Sequence, residues 1–171
     1  MKKKLIAMAI CAATVSTSLL SGVTAFAAGQ TGTADVPVTY DSSKTIIDPD
    51  NDLTPDFQVV IPAAINFKST NEPVDTTVSI KDGADKTQDY TGNKNVLVKV
   101  ASQNEFKVIY DGEKLDYSLA YGPQALTGAG EHEIATLNSS KKSEKGSATL
   151  KGIATKSGLY TDTLTYSVQA Q

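Results

Sequence analysis

Gly158-Leu159-Tyr160-Thr161-Asp162-Thr163-Leu164-Thr165-Tyr166-Ser167-Val168 is the stretch that decides the fold. Leu164, Tyr166 and Val168 share one parity and Thr163, Thr165 and Ser167 the other, the period of a strand with one face in a core and one in water. Threonine, valine and tyrosine also fit a pleated, half-buried surface. The same period recurs towards the N-terminus. Ala148 and Leu150 alternate ahead of Gly152, which suggests a bulge. Ile134 to Leu137 reads as a short strand between a glycine-bearing loop at 122–130 and a charged turn at 138–146. Leu115, Tyr117 and Leu119 alternate, as do Phe106, Val108 and Tyr110, and Asp111-Gly112 begins a hairpin turn between them, expected as a loop of about four residues.

Earlier in the chain, Val96, Val98 and Val100 share a face, and Val74, Thr76, Val78 and Ile80 alternate before a polar loop at 81–94. Phe57, Val59 and Ile61 run to Pro62, with Ile65 and Phe67 after a break. Residues 41–55, rich in Asp, Ser, Pro and Asn, read as a long loop. Ala34, Val36, Val38 and Tyr40 alternate with Asp35, Pro37 and Thr39, and Pro37 has no N–H to give a ladder, so this segment is expected at a sheet edge. After residue 27 no window sustains apolar residues at i, i+3, i+4 and i+7. These patterns imply an all-β chain: a single immunoglobulin-like antiparallel β-sandwich of about eight or nine strands over residues 34–171.

The N-terminus is of another kind. Lys2, Lys3 and Lys4 precede an apolar run from Leu5 to Leu20, and Ala25-Phe26-Ala27 supplies a small-x-small cleavage pattern before Ala28. Residues 1–27 are therefore expected to be a helical, cleavable secretory signal peptide, and 28–33 a leader of small and polar residues. Thr14, Ser16, Thr17 and Ser18 interrupt the run, which a membrane anchor of roughly 20 apolar residues would not tolerate well. Cutting after Ala27 removes Cys11, the only cysteine, together with three of the 16 lysines. Thirteen lysines then face 19 carboxylates, a net charge of −6 instead of −3. No arginine is present, so bidentate phosphate recognition is missing and nucleic acid is a poor partner. No disulfide or thiolate metal cage can form in the exported chain.

Groups that could carry chemistry are few. Asp48, Asp50 and Asp52 alternate, and Asp56 follows, which concentrates hard oxygen ligands for Ca²⁺ in one loop. Leu53 and Val59 stand where an EF-hand has its glycine and bidentate glutamate, so a solvated acidic loop is the competing reading. His132, the only histidine, lies between Glu131 and Glu133, but on a strand those glutamates point away from its face. No Gly-x-Ser-x-Gly elbow, phosphate loop or His-Glu-x-x-His motif occurs. Carboxylate pairs for glycoside hydrolysis need only meet in space, yet tryptophan is absent and little aromatic surface is left for sugars. The chain is thus expected to be non-enzymatic and without a cofactor, Ca²⁺ at the acidic loop apart. Tyr110, Tyr117 and Tyr121 cluster near the hairpin and could anchor a partner, although core packing suits the phase of Tyr110 and Tyr117.

The closing segment 158–168, with its glycine-x-tyrosine turn and Thr/Leu strand, resembles the last strand of small secreted β-sandwich proteins of Firmicutes, including the WxL-domain cell-surface proteins. Phe57-Gln58-Val59-Val60-Ile61-Pro62, with Ile65 and Phe67, resembles their early strand. Phe106-Lys107-Val108 and Tyr166-Ser167-Val168 stand where a Trp-x-Leu motif would, so the resemblance implies an envelope sandwich more than peptidoglycan binding. The expectation is a secreted, non-enzymatic structural or binding protein of a Gram-positive bacterium, released or wall-associated, meeting envelope or matrix proteins or a wall polymer. The alternative is a pilin-like or fibre subunit that donates its N-terminal strand. A secreted hydrolase using His132 comes third. No Leu-Pro-x-Thr-Gly sorting signal precedes Gln171, so retention by sortase is not expected.

Overall fold

The computed structural model describes residues 22–26, 43–48 and 55–171. Among these residues every regular element is a strand. In chain order they are β1 (Gly22–Phe26), β2 (Ser43–Ile47), β3 (Phe57–Pro62), β4 (Ile65–Phe67), β5 (Pro73–Asp75), β6 (Val78–Asp82) and β7 (Val96–Ser102). They continue with β8 (Lys107–Tyr110), β9 (Glu113–Tyr121), β10 (Gln124–Leu126), β11 (Glu131–Leu137), β12 (Ser143–Glu144), β13 (Gly146–Leu150) and β14 (Leu159–Ala170). β12, β6, β3 and β2 form a four-stranded sheet. The ten-stranded sheet runs β11-β7-β14-β8-β9-β13-β5, with β10 on β9, β1 on β14 and β4 on β1. Every pairing is antiparallel except β1 with β4, which is parallel.

Both sheets feed one core. Phe57, Val59, Val78 and Ile80 come from the small sheet, and Val96, Val98, Val100, Leu119, Leu137, Tyr160 and Leu164 from the large one, all buried. This is the layering of a β-sandwich, and the buried parities in β3, β7, β9 and β14 follow the alternation in the sequence. Each fully buried Val or Leu contributes about 1.5–3 kcal/mol through the apolar surface it removes from water.

Several expectations are corrected. Thirteen of the fourteen strands among the described residues lie within 34–171, where eight or nine were expected, because short pieces of two to five residues pair where loops were expected. β2 lies inside the predicted 41–55 loop, where Thr45, Ile46 and Ile47 carry strand propensity that the flanking Asp and Pro residues masked. β10 falls within the 122–130 loop, and β11 starts at Glu131 instead of Ile134. The run 74–80 is two strands, β5 in the large sheet and β6 in the small one. Asp75 causes the break: its Oδ1 accepts the Thr77 N–H at 2.9 Å and the Thr77 hydroxyl at 2.6 Å, a local turn that competes with the ladder. The β8–β9 hairpin closes with two residues instead of four. Tyr110 pairs with Glu113, and Asp111 and Gly112 both take positive φ, 45° and 78°, as a type I′ turn requires. Gly22–Phe26, assigned to a helical signal, forms a strand; residues 1–21 and the predicted edge strand 34–40 lie outside the described residues.

Candidate functional site

The least ordinary feature of the sheet is the position of β1. It runs antiparallel to β14, from Gly22 opposite Thr163 to Phe26 opposite Leu159, and parallel to β4, with Val23 beside Ile65 and Ala25 beside Phe67. β4 joins the large sheet through β1 alone. Val23 thus stands in register with two buried residues, Asp162 and Ile65, and Ala25 with Tyr160 and Phe67.

Beside this strand lies a buried polar knot. Asp162 falls on the core parity of β14 and is 2% exposed. Its Oδ2 accepts the Ser102 hydroxyl at 2.6 Å and the Tyr117 hydroxyl at 2.7 Å; its Oδ1 accepts the N–H of Asn104 at 3.0 Å and of Thr163 at 2.7 Å. Four donors fill the lone-pair directions of one carboxylate, so nothing is left to take a proton from a substrate. Burial, and then the Asp162 carboxylate, raise the Tyr117 hydroxyl far above its ordinary range, which keeps it a donor. Ser102 also accepts the N–H of Phe106 at 2.6 Å, and Glu105 and Phe106 stand at φ 54° and 61°. The network therefore holds a strained turn between β7 and β8.

Two more clasps repeat the principle. Glu113 accepts the Tyr160 hydroxyl, the Thr155 N–H at 2.8 Å and hydroxyl at 3.1 Å, and the Lys156 N–H at 3.0 Å. Those bonds, Tyr160 first, lower its carboxyl to about 2, while burial and the Glu113 carboxylate push the Tyr160 hydroxyl up to about 12. Tyr121 donates to the Thr76 carbonyl at 2.9 Å and meets the Tyr166 hydroxyl at 2.9 Å, and burial pushes it up to about 12.

The sites expected from sequence fare differently. Asp48, 0% exposed, and Asp56 converge on the Lys94 ammonium at 3.1 and 2.9 Å, and these hydrogen bonds, Asp56 first, raise the lysine well above its usual range. Two of the four calcium candidates thus already share a cation; Asp50 and Asp52 lie outside the described residues. Of the cleavage residues, Ala25 is in β1, and Ala27 and Ala28 lie outside the described residues. His132 sits on β11, opposite Val100, its ring 5.5 Å from Phe106 and its Nε2 3.4 Å from the Gly128 carbonyl. Glu131 turns to Lys99, at 3.9 Å, and to Ser167, at 3.0 Å. Tyr117 and Tyr121 are buried, whereas Tyr110 is 36% exposed with its ring 5.4 Å from Tyr160.

One hollow of about 290 Å³ opens beside the strained turn, with Glu105, Lys107, Asp116, Ala125, Leu126 and Lys151 among its lining residues. Lys107 lies 3.9 Å from Glu105 and 3.8 Å from Asp116, so charges across it are already matched. Sequence reasoning passed over the Asp162 knot and the Glu113 clasp. The first had a signal: an aspartate in phase with Tyr160 and Leu164 is a polar group on the core parity and demands partners. Comparison with known proteins gives no match: no family model, no curated protein and no solved structure matches this chain.

Proposed function

We propose that this chain is a secreted, non-enzymatic structural or binding protein of the surface or extracellular matrix of a Gram-positive bacterium, built on an immunoglobulin-like sandwich. One observation carries the reading: among the described residues, Asp162, Tyr121 and Glu113, which carry the densest hydrogen bonding, spend it on joining strands. Asp162 ties β14 to β9 and to the end of β7, Tyr121 ties β9 to Thr76 beside β5 and to Tyr166 of β14, and Glu113 fastens the segment before β14. An enzyme of this size would aim such groups into a cleft. The basic, apolar N-terminus and the resemblance of 158–168 to Firmicutes surface sandwiches support the location. Sedimentation of the purified 28–171 chain with washed cells or wall sacculi tests it. Co-sedimentation, or recovery of the protein from the washed surface of its host, is expected; protein found wholly inside the cell contradicts it.

A second reading, that the chain is a self-assembling subunit, is favoured by β1. The large sheet here incorporates a short strand from a region expected to be removed, and a sheet edge exposed in this way is a template for strand addition.

A further inference from the structure

The gap that β1 fills has two walls. Leu159–Thr163 of β14 offers an antiparallel edge and Ile65–Phe67 of β4 a parallel one, and a strand between them hydrogen-bonds to both. If the chain is cut after Ala27, Gly22–Phe26 leaves. β4 then loses its link to the large sheet, and the edges beside Tyr160, Asp162, Ile65 and Phe67, all at most 2% exposed with β1 in place, open to water. Unpaired backbone beside such an apolar stretch is costly and sticky.

We infer that a second copy of this chain fills the gap with its residues 37–41, in the direction of β1. This deepens the self-assembly reading and rests on it. Three observations choose the occupant. Val38-Thr39 repeats Val23-Thr24, the pair at the centre of β1, so valine again stands beside Ile65 and Asp162 and threonine beside Asn66 and Thr161. In that register Pro37 takes the place of Gly22, the first strand position, where a missing N–H is tolerated. Tyr40 then takes the place of Ala25, beside Phe67 and Tyr160.

Chain length argues that the donor comes from another molecule. Within one chain Tyr40 would stand at the Phe67 end of the gap, while Ser43 is held in the small sheet opposite Pro62, which leads into the Ile65 end. Three Cα steps span at most about 11 Å. Crossing between stacked sheets takes about 10 Å and moving back two strand residues about 7 Å, together about 12 Å on the diagonal. From a second copy no such limit applies: residues 28–42 of a cut chain extend up to about 50 Å.

The exported chain lacks cysteine, which makes a cross-link unambiguous. Thr39→Cys and Thr161→Cys are introduced together into the 28–171 chain, the fold is checked by circular dichroism, and the protein is oxidised and run on a non-reducing gel. A ladder of disulfide-linked multimers, collapsing to monomer with reductant and reduced at least tenfold by Val38→Asp, is expected. A disulfide confined to monomers would show that the segment folds back into its own sandwich and would overturn the inference, as would a folded protein that forms no cross-link. An exported chain that still carries residues 22–26 would overturn it too. Size-exclusion chromatography of the cysteine-free 28–171 chain separates the two failures: multimers without a cross-link sink the exchange of residues 37–41 and keep self-assembly, whereas a strict monomer sinks both.

Discussion

At the scale of single residues, the account makes Asp162 the most sensitive polar position. Asp162→Ala leaves the Ser102 and Tyr117 hydroxyls and two backbone N–H groups without their acceptor in a buried site. A loss of about 3–4 kcal/mol in urea unfolding is expected, against about 1–2 kcal/mol for Tyr117→Phe, which removes a single donor. Equal effects from the two would dissolve the idea of a shared acceptor. Gly146 is sensitive for a steric reason: a Cβ there would lie 2.4 Å from Thr76 Oγ1 and 2.5 Å from the Tyr121 ring. Gly146→Ala should cost about 1–3 kcal/mol by overpacking, and an unchanged unfolding midpoint would contradict the packing described. Glu113 sets an acid response. Its folded pKa of about 2 lies below the ordinary 4.5, so its contribution is fully present above pH 4.5 and drains away as pH falls from there to about 2. The melting temperature of Glu113→Gln should therefore fall less steeply over that window than that of the wild type; parallel curves would remove Glu113 from the acid response.

At the scale of elements, alternation alone carried the long strands. β7 and β9 bury the residues whose parity marked them, and β14 buries Leu164 and half-buries Tyr166 and Val168, because one face meets the core and the other water. It could not place the short ones. β2, β10 and β12 are recruited by neighbours that offer an edge, and nothing within two to five residues records the neighbour. Nor could parity reveal that 74–80 changes sheets, since the turn at Asp75 leaves the side-chain pattern on both sides intact. The site was less legible than the fold: Asp162 showed its parity, but Ser102, Asn104 and Tyr117 approach it from 45 to 60 residues away. The β8–β9 turn gives an element-level check. Gly112 at φ 78° makes Gly112→Val strained in a way Lys114→Val on the neighbouring strand is not, and the first should lower stability by about 1 kcal/mol or more in thermal unfolding. Equal tolerance of both would contradict the turn type.

At the scale of the whole molecule, the described residues form two sheets around one core, with three polar clasps joining their strands. The chain carries more carboxylates than lysines, and ion pairs such as Lys81 with Asp89, at 2.8 Å, and Lys142 with Asp89, at 3.1 Å, are partly or largely exposed, where they add little stability and fade with salt. The proposed export and role outside the cell rest on the N-terminal pattern, and the proposed strand exchange rests on what its removal would leave behind. Intact mass spectrometry of the protein recovered from the washed cell surface and the medium tests this chain of reasoning at its root. The account predicts a single species with the mass of residues 28–171; a species beginning at Met1 and confined to the cytoplasm would contradict it.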